Sequence, residues 1–128
     1  MDKKIGLPTL DEFLIQKRRP YNGYIDYPGF SSLYLRKGDI GIQDGEKLLR
    51  CGPTIHVANV TSEIPGNGAF ARLVKDLMSR EFAVYVECVH NLVFVDILRH
   101  MGFKQINQAS GTHFIKNHEN KLTEWIQD

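Results

Sequence analysis

The chain reads as one α/β (α+β) domain built around a mixed sheet, and three observations predict it. An apolar, β-branched run over Thr54–Val60 passes through Gly66-Asn67-Gly68 into Phe70, Leu73, Val74 and Leu77, which have helical spacing, and then into a second short apolar run, Phe82–Cys88. A helix between two strands implies a right-handed crossover with parallel pairing. On either side of this unit lie segments with the pattern of antiparallel hairpins: Ser32–Arg36 with Lys47–Cys51, and Phe103–Ile106 with Thr112–Ile115. The length of 128 residues with 42% apolar content suits one core, so residues 1–128 are read as a single domain.

In chain order, Thr9 with Glu12 three positions on has the form of a capping box. The helix it opens carries Leu10, Phe13 and Leu14 on one face, ends in Lys17, Arg18 and Arg19, and stops at Pro20. Tyr21–Gly29, aromatic and broken by Gly23, Pro28 and Gly29, reads as a shaped loop, and Gly38–Glu46 as turn-rich. Along Thr54–Val60, strict alternation places His56, Ala58 and Val60 on one face and Ile55, Val57 and Asn59 on the other. Phe70–Arg80 and Leu92–Met101 are helices, the second ended by Gly102. The polar tail after Lys116 keeps Leu122, Trp125 and Ile126 for a docking turn.

The bulk numbers exclude several function classes. A net charge of +1 gives no global attraction to nucleic acid or anionic lipid. No apolar run reaches the ~20 residues that a bilayer-spanning helix needs. The start, Met1 to Gly6, lacks the apolar stretch of a secretory signal. Cys51 and Cys88, the two cysteines, form no Cys-x-x-Cys pair and read as small core residues in a reducing, cytoplasmic compartment. Cys88-x-His90 is a single thiol–imidazole pair, not a set of four ligands, so no metal is expected.

Gly66-Asn67-Gly68 leads from a strand into a helix. Such a turn either merely connects its elements or binds phosphate, because N–H groups and the positive dipole end face outward at a helix start. There is no Gly-Lys-Ser/Thr, which excludes a P-loop, and a dinucleotide fingerprint needs a third glycine. The stretch Ala58–Phe70, followed by Asn91 eleven residues before Gly102-Phe103, resembles the GNAT N-acetyltransferase superfamily: a strand, a Gln/Arg-x-x-Gly-x-Gly/Ala turn, a helix, a strand, then Asn, a helix and Gly-Phe. The resemblance covers about residues 54–115, and Tyr85–Asn91 is also similar to compact acetyltransferase-like proteins of bacteriophages. Three positions depart from the pattern. Pro65 stands at the Gln/Arg, Phe70 at the last Gly/Ala, and Leu98 where a general-acid tyrosine often stands.

The resemblance implies a mixed central sheet with helices on both faces and acyl-CoA, most simply acetyl-CoA, lying between the diverging strand ends near Thr61 and Cys88. Gly66, Asn67, Gly68, Ala69 and Phe70 would cradle its pyrophosphate, the backbone of Asn59, Val60 and Thr61 would pair with the pantetheine, and Asn91 would contact the cofactor. The Val60 N–H would polarise the thioester carbonyl, a contribution of ~3 kcal/mol. An amine acceptor with a pKa of ~10.4 must lose a proton before it attacks. Glu87, at the end of its strand, is the first candidate base, set against capping a helix start or pairing with a neighbouring charge, and His56 is the second, set against a satisfied core histidine. Asn59 would orient a water or the substrate, and Cys88 or Tyr85 would replace the missing acid. Glu63 is expected to point away from the phosphates. The implied activity is N-acyl transfer to an amine. The rivals are an inactive protein-binding relative and a nucleic-acid module using Tyr21, Tyr24, Tyr27 and Phe30 behind Lys17-Arg18-Arg19. Exposed strand edges leave a homodimer open.

Overall fold

The fold is that of a computed structural model, described over residues 6–15, 21–44, 47–62, 68–87, 89–108, 111–116 and 124–127. In chain order the elements are α1 (Leu10–Leu14), β1 (Tyr21–Tyr24), β2 (Phe30–Asp44), β3 (Lys47–Ser62), α2 (Ala69–Ser79), β4 (Ala83–Val86), α3 (Leu92–His100), β5 (Lys104–Gln108), β6 (Gly111–Lys116) and β7 (Glu124–Gln127). They form a mixed sheet in the order β1-β2-β3-β4-β6-β5, with β7 added to β3. The β3–α2–β4 unit supplies the parallel pair, Thr54 to Val57 against Ala83 to Val86. The β1–β2, β2–β3, β4–β6 and β5–β6 pairs are antiparallel.

Local chemistry accounts for the helix ends. The Thr9 hydroxyl accepts from the Glu12 N–H while the Glu12 carboxylate accepts from the Thr9 N–H, the reciprocal box that starts α1. Asn91 caps α3 by accepting from the N–H groups of Val93 and Phe94. Both α2 and α3 finish in Schellman motifs, in which Phe82 bonds back to Leu77 and Phe103 back to Leu98. Gly102 takes the left-handed position after α3 at φ +88°, whereas after α2 Glu81 takes it at φ +66°.

One apolar cluster joins the three helices to a single sheet face. Phe13, Leu73, Leu77 and Leu98 are fully buried against Leu33, Leu35, Ile55, Val84 and Phe114. Each such side chain contributes about 1.5–3 kcal/mol by leaving water. An ion pair links Arg80, the C-cap of α2, to Asp11 of α1. Among the described residues no helix covers the other face, contrary to the expectation of helices on both. That face is nonetheless covered: Thr54, Ala83, Ile106 and Ile115 are fully buried, and Tyr85 and His113 nearly so. Although β3, β4 and β6 separate them in the sheet, β2 and β5 come into contact. The sheet therefore curls over its own second face, helped by register shifts between β2 and β3.

Several local expectations change. Tyr21–Tyr24 is a strand rather than part of a loop, because it finds Tyr34–Lys37 as a partner. Gly38–Asp44 continues β2, since β3 extends equally far and pairs with it. Trp125 and Ile126 lie in strand β7, where they pair with Leu49 and Leu48, and do not form a docking turn. No described helix is long and apolar enough to cross a membrane.

Candidate functional site

The candidate site begins where β3 and β4 part. Tyr34 pairs with Asn59 and Leu35 with Val57, so Ala58 is an extra residue in β3, a β-bulge. The bulge resets the alternation. Val60 pairs with Leu33 and packs against the core, on the face of Val57 rather than that of His56. On the edge of β3 away from β2, β7 takes Lys47–Arg50, β4 takes Thr54–Val57, and no described strand takes Ala58–Ser62. The Glu87 N–H to Val57 carbonyl bond (3.2 Å) is the last rung between the parallel strands, and the chain beyond it stays with β6 through Val89 N–H to Thr112. The strands thus diverge, leaving a stretch of β3 backbone unpaired by any described strand.

At the same end of β3, α2 begins at Gly68 with φ +78° and no side-chain cap, unlike α1 and α3. Arg72, one turn on, folds over this start: its Nη1 lies 3.3 Å from where a Cβ on Gly68 would sit. Phe70 turns inward and packs edge-on against Phe94 (centroids 5.0 Å apart) and beside Phe103 (6.4 Å). The Phe70 ring, at the position of the motif's last Gly/Ala, thus belongs to the core. Leu98 is likewise fully buried there.

On the curled face, Glu87 stands at the fork with both carboxylate oxygens accepting from Arg36 Nη1, at 3.0 and 2.9 Å. The Glu87 side chain is 21% exposed and that of Arg36 49%. His56 lies next to this pair, directly across from Arg36 in the β2–β3 register. Its ring meets Tyr85 edge-on at 5.2 Å, and Tyr85 stacks on His113 at 5.4 Å. Burial lowers the pKa of His56 from its ordinary value, opposed by the Glu87 charge and assisted by Arg36. Burial also lowers that of His113, again against the pull of Glu87. Both imidazoles are thereby held towards the neutral form, which accepts protons. Tyr24 and Tyr34 meet edge-on (4.9 Å) on the same face of β1 and β2 as Arg36.

The structure brings Glu87, His56 and Tyr85 together at the fork and places the backbone of Asn59, Val60 and Thr61 along the unpaired stretch of β3. Gly68 and Ala69 lie at the start of α2. The Asn91 side-chain oxygen, Oδ1, is spent on capping α3. Glu63, Pro65, Gly66, Asn67, Cys88 and the Lys17–Arg19 cations lie outside the described residues, as do the side chains of Asn59 and Thr61. Sequence reasoning missed Arg36, His113 and Arg72, because only strand register and a helix turn bring them to the site. The i,i+2 alternation of Tyr34 and Arg36 was the available signal. The aromatic nucleic-acid platform is reduced: Phe30 is buried and the Tyr27 hydroxyl donates to Asp76 (3.1 Å). Burial and that carboxylate push the Tyr27 pKa up to about 12. Among the described residues no group of three or more His, Cys, Asp or Glu could hold a metal ion. No family model, curated protein or solved structure matches the chain.

Proposed function

We propose that the chain is a GNAT-like N-acyltransferase that carries an acetyl group from acetyl-CoA to an amine in the cytoplasm. The observation that carries this reading is the parting of the parallel β3–β4 pair after Val57, with the start of α2 at the same end and acid–base side chains at the fork. The backbone of Asn59 to Thr61 would pair with the pantetheine, as a missing strand would. The start of α2, with Arg72 beside Gly68, would meet the pyrophosphate. His56, kept neutral by its burial, would take a proton from the acceptor's ammonium. The amine nitrogen then bonds to the acyl carbon as the carbon–sulfur bond breaks, and CoA leaves as a thiolate that takes the second proton.

Calorimetric titration of acetyl-CoA into the protein and into Arg72→Glu tests this. Micromolar binding that the variant weakens about tenfold or more is the expected result, the size of one lost charge-assisted contact. A Gly68 variant is a poorer control, since any side chain at φ +78° strains the backbone itself. No binding at millimolar acetyl-CoA would overturn the reading.

A further inference from the structure

We propose that the Arg36–Glu87 pair at the fork is the recognition site for a free α-amino acid, with Arg36 taking its carboxylate and Glu87 its ammonium group. The proposal names the acceptor class for the acyltransferase reading and rests on it. Three features of the pair point this way. Its two charges lie side by side, 2.9 Å apart, and both reach solvent. An exposed ion pair of this kind is cheap to separate, and a zwitterion with both charges on one carbon re-pairs each partner as it enters. Lastly, Glu87 makes the last rung between β3 and β4, so an ammonium held there lies where the strands part.

The surroundings fit the same ligand. His56 sits across from Arg36, ready to receive the proton that the bound ammonium must give up. Tyr24 and Tyr34 border Arg36 on its sheet face with an edge-on ring pair, and Tyr24 is 47% exposed. They form an aromatic wall for the amino acid's side chain. A simple amine would have to compete with Arg36 for Glu87 and would leave the guanidinium without a carboxylate. A peptide N-terminus lacks the adjacent carboxylate altogether. Discrimination for the zwitterion follows from the cost of leaving one charge unpaired.

The test compares L-phenylalanine with its two half-ligands, phenethylamine and 3-phenylpropionate, by amide chemical-shift titration with and without acetyl-CoA. The expected result is that phenylalanine shifts the amides of Arg36, His56 and Glu87 and binds at least about tenfold more tightly than either half-ligand. Arg36→Gln, shown by melting to be folded, should abolish the preference over phenethylamine. Equal binding of phenethylamine, or no shift with phenylalanine while acetyl-CoA binds, overturns the amino-acid site and leaves the acyltransferase reading standing. Phenylalanine binding without any acetyl-CoA binding keeps the site and removes the transferase. If Arg36→Gln melts lower but keeps the preference, the pair is a cross-strand brace and the proposal fails.

Discussion

Replacing Phe70 with alanine, the residue type that the resemblance expects there, separates two accounts of this position. If the ring stood at the phosphate turn, its removal would open the turn and tighten cofactor binding. In the structure the ring is 9% exposed and lies against Phe94 and Phe103 at 5.0 and 6.4 Å. Truncating a buried phenylalanine costs about 3–5 kcal/mol. Phe94 is only partly buried and can relax into the space, so about 3–4 kcal/mol is expected here. With a urea slope of about 1.5 kcal/mol/M, the unfolding midpoint should fall by about 2–3 M. The acetyl-CoA affinity of the folded variant should stay within about threefold of the parent. Urea titration followed by far-ultraviolet circular dichroism reads the first quantity and calorimetry the second. An unchanged midpoint with tighter binding would refute the placement of the ring in the core.

Two further predictions concern stability. Glu81 occupies a left-handed position that Gly102 fills after the next helix. Glu81→Gly should therefore stabilise by about 0.5–1 kcal/mol and Gly102→Ala destabilise by about 1–2 kcal/mol, read as opposite shifts in Tm. Lys116 would meet the new methyl at an ordinary 3.6 Å, so the Gly102 penalty is one of backbone strain, not of collision. The second prediction is a pH dependence. His56 and His113 have folded pKa values below the ordinary 6.5. The unfolded chain therefore binds protons that the folded one refuses, and stability is full above about pH 6.5 and declines as pH falls below it through the depressed folded values. Urea midpoints measured between about pH 7 and pH 5 should fall, and His56→Gln/His113→Gln should flatten the slope. An unchanged slope in the double variant would show that other groups set the acid limit.

Local signals carried much of the fold. The Thr9–Glu12 box, the apolar spacing of Phe70, Leu73, Val74 and Leu77, and Gly102 after α3 are read within a few residues, because caps and periodicity depend on near neighbours. The parallel β3–β4 pairing followed from the helix between the strands, since a crossover constrains its own hand and direction. Glu87 and His56 entered as candidate bases through the acyltransferase resemblance combined with their positions on the strands.

Other features depended on partners far along the chain. Tyr21–Tyr24 and Gly38–Asp44 have loop-like composition and became strands because a neighbouring strand offers them a hydrogen-bonding edge. The Ala58 bulge, which turns Val60 to the core face and lies where β3 and β4 diverge, leaves no mark in the alternation of residues. Phe70 could be assigned to the core only once Phe94 and Phe103, 24 and 33 residues away in sequence, were seen to receive its ring. Arg36 and Glu87, separated by 51 positions, meet because β2 and β4 flank β3. What the sequence by itself determined was the set of helices and the parallel unit, since these rest on short-range energetics. Register, curl and the charge pair at the fork rest on long-range pairing, and only the tertiary structure decided them.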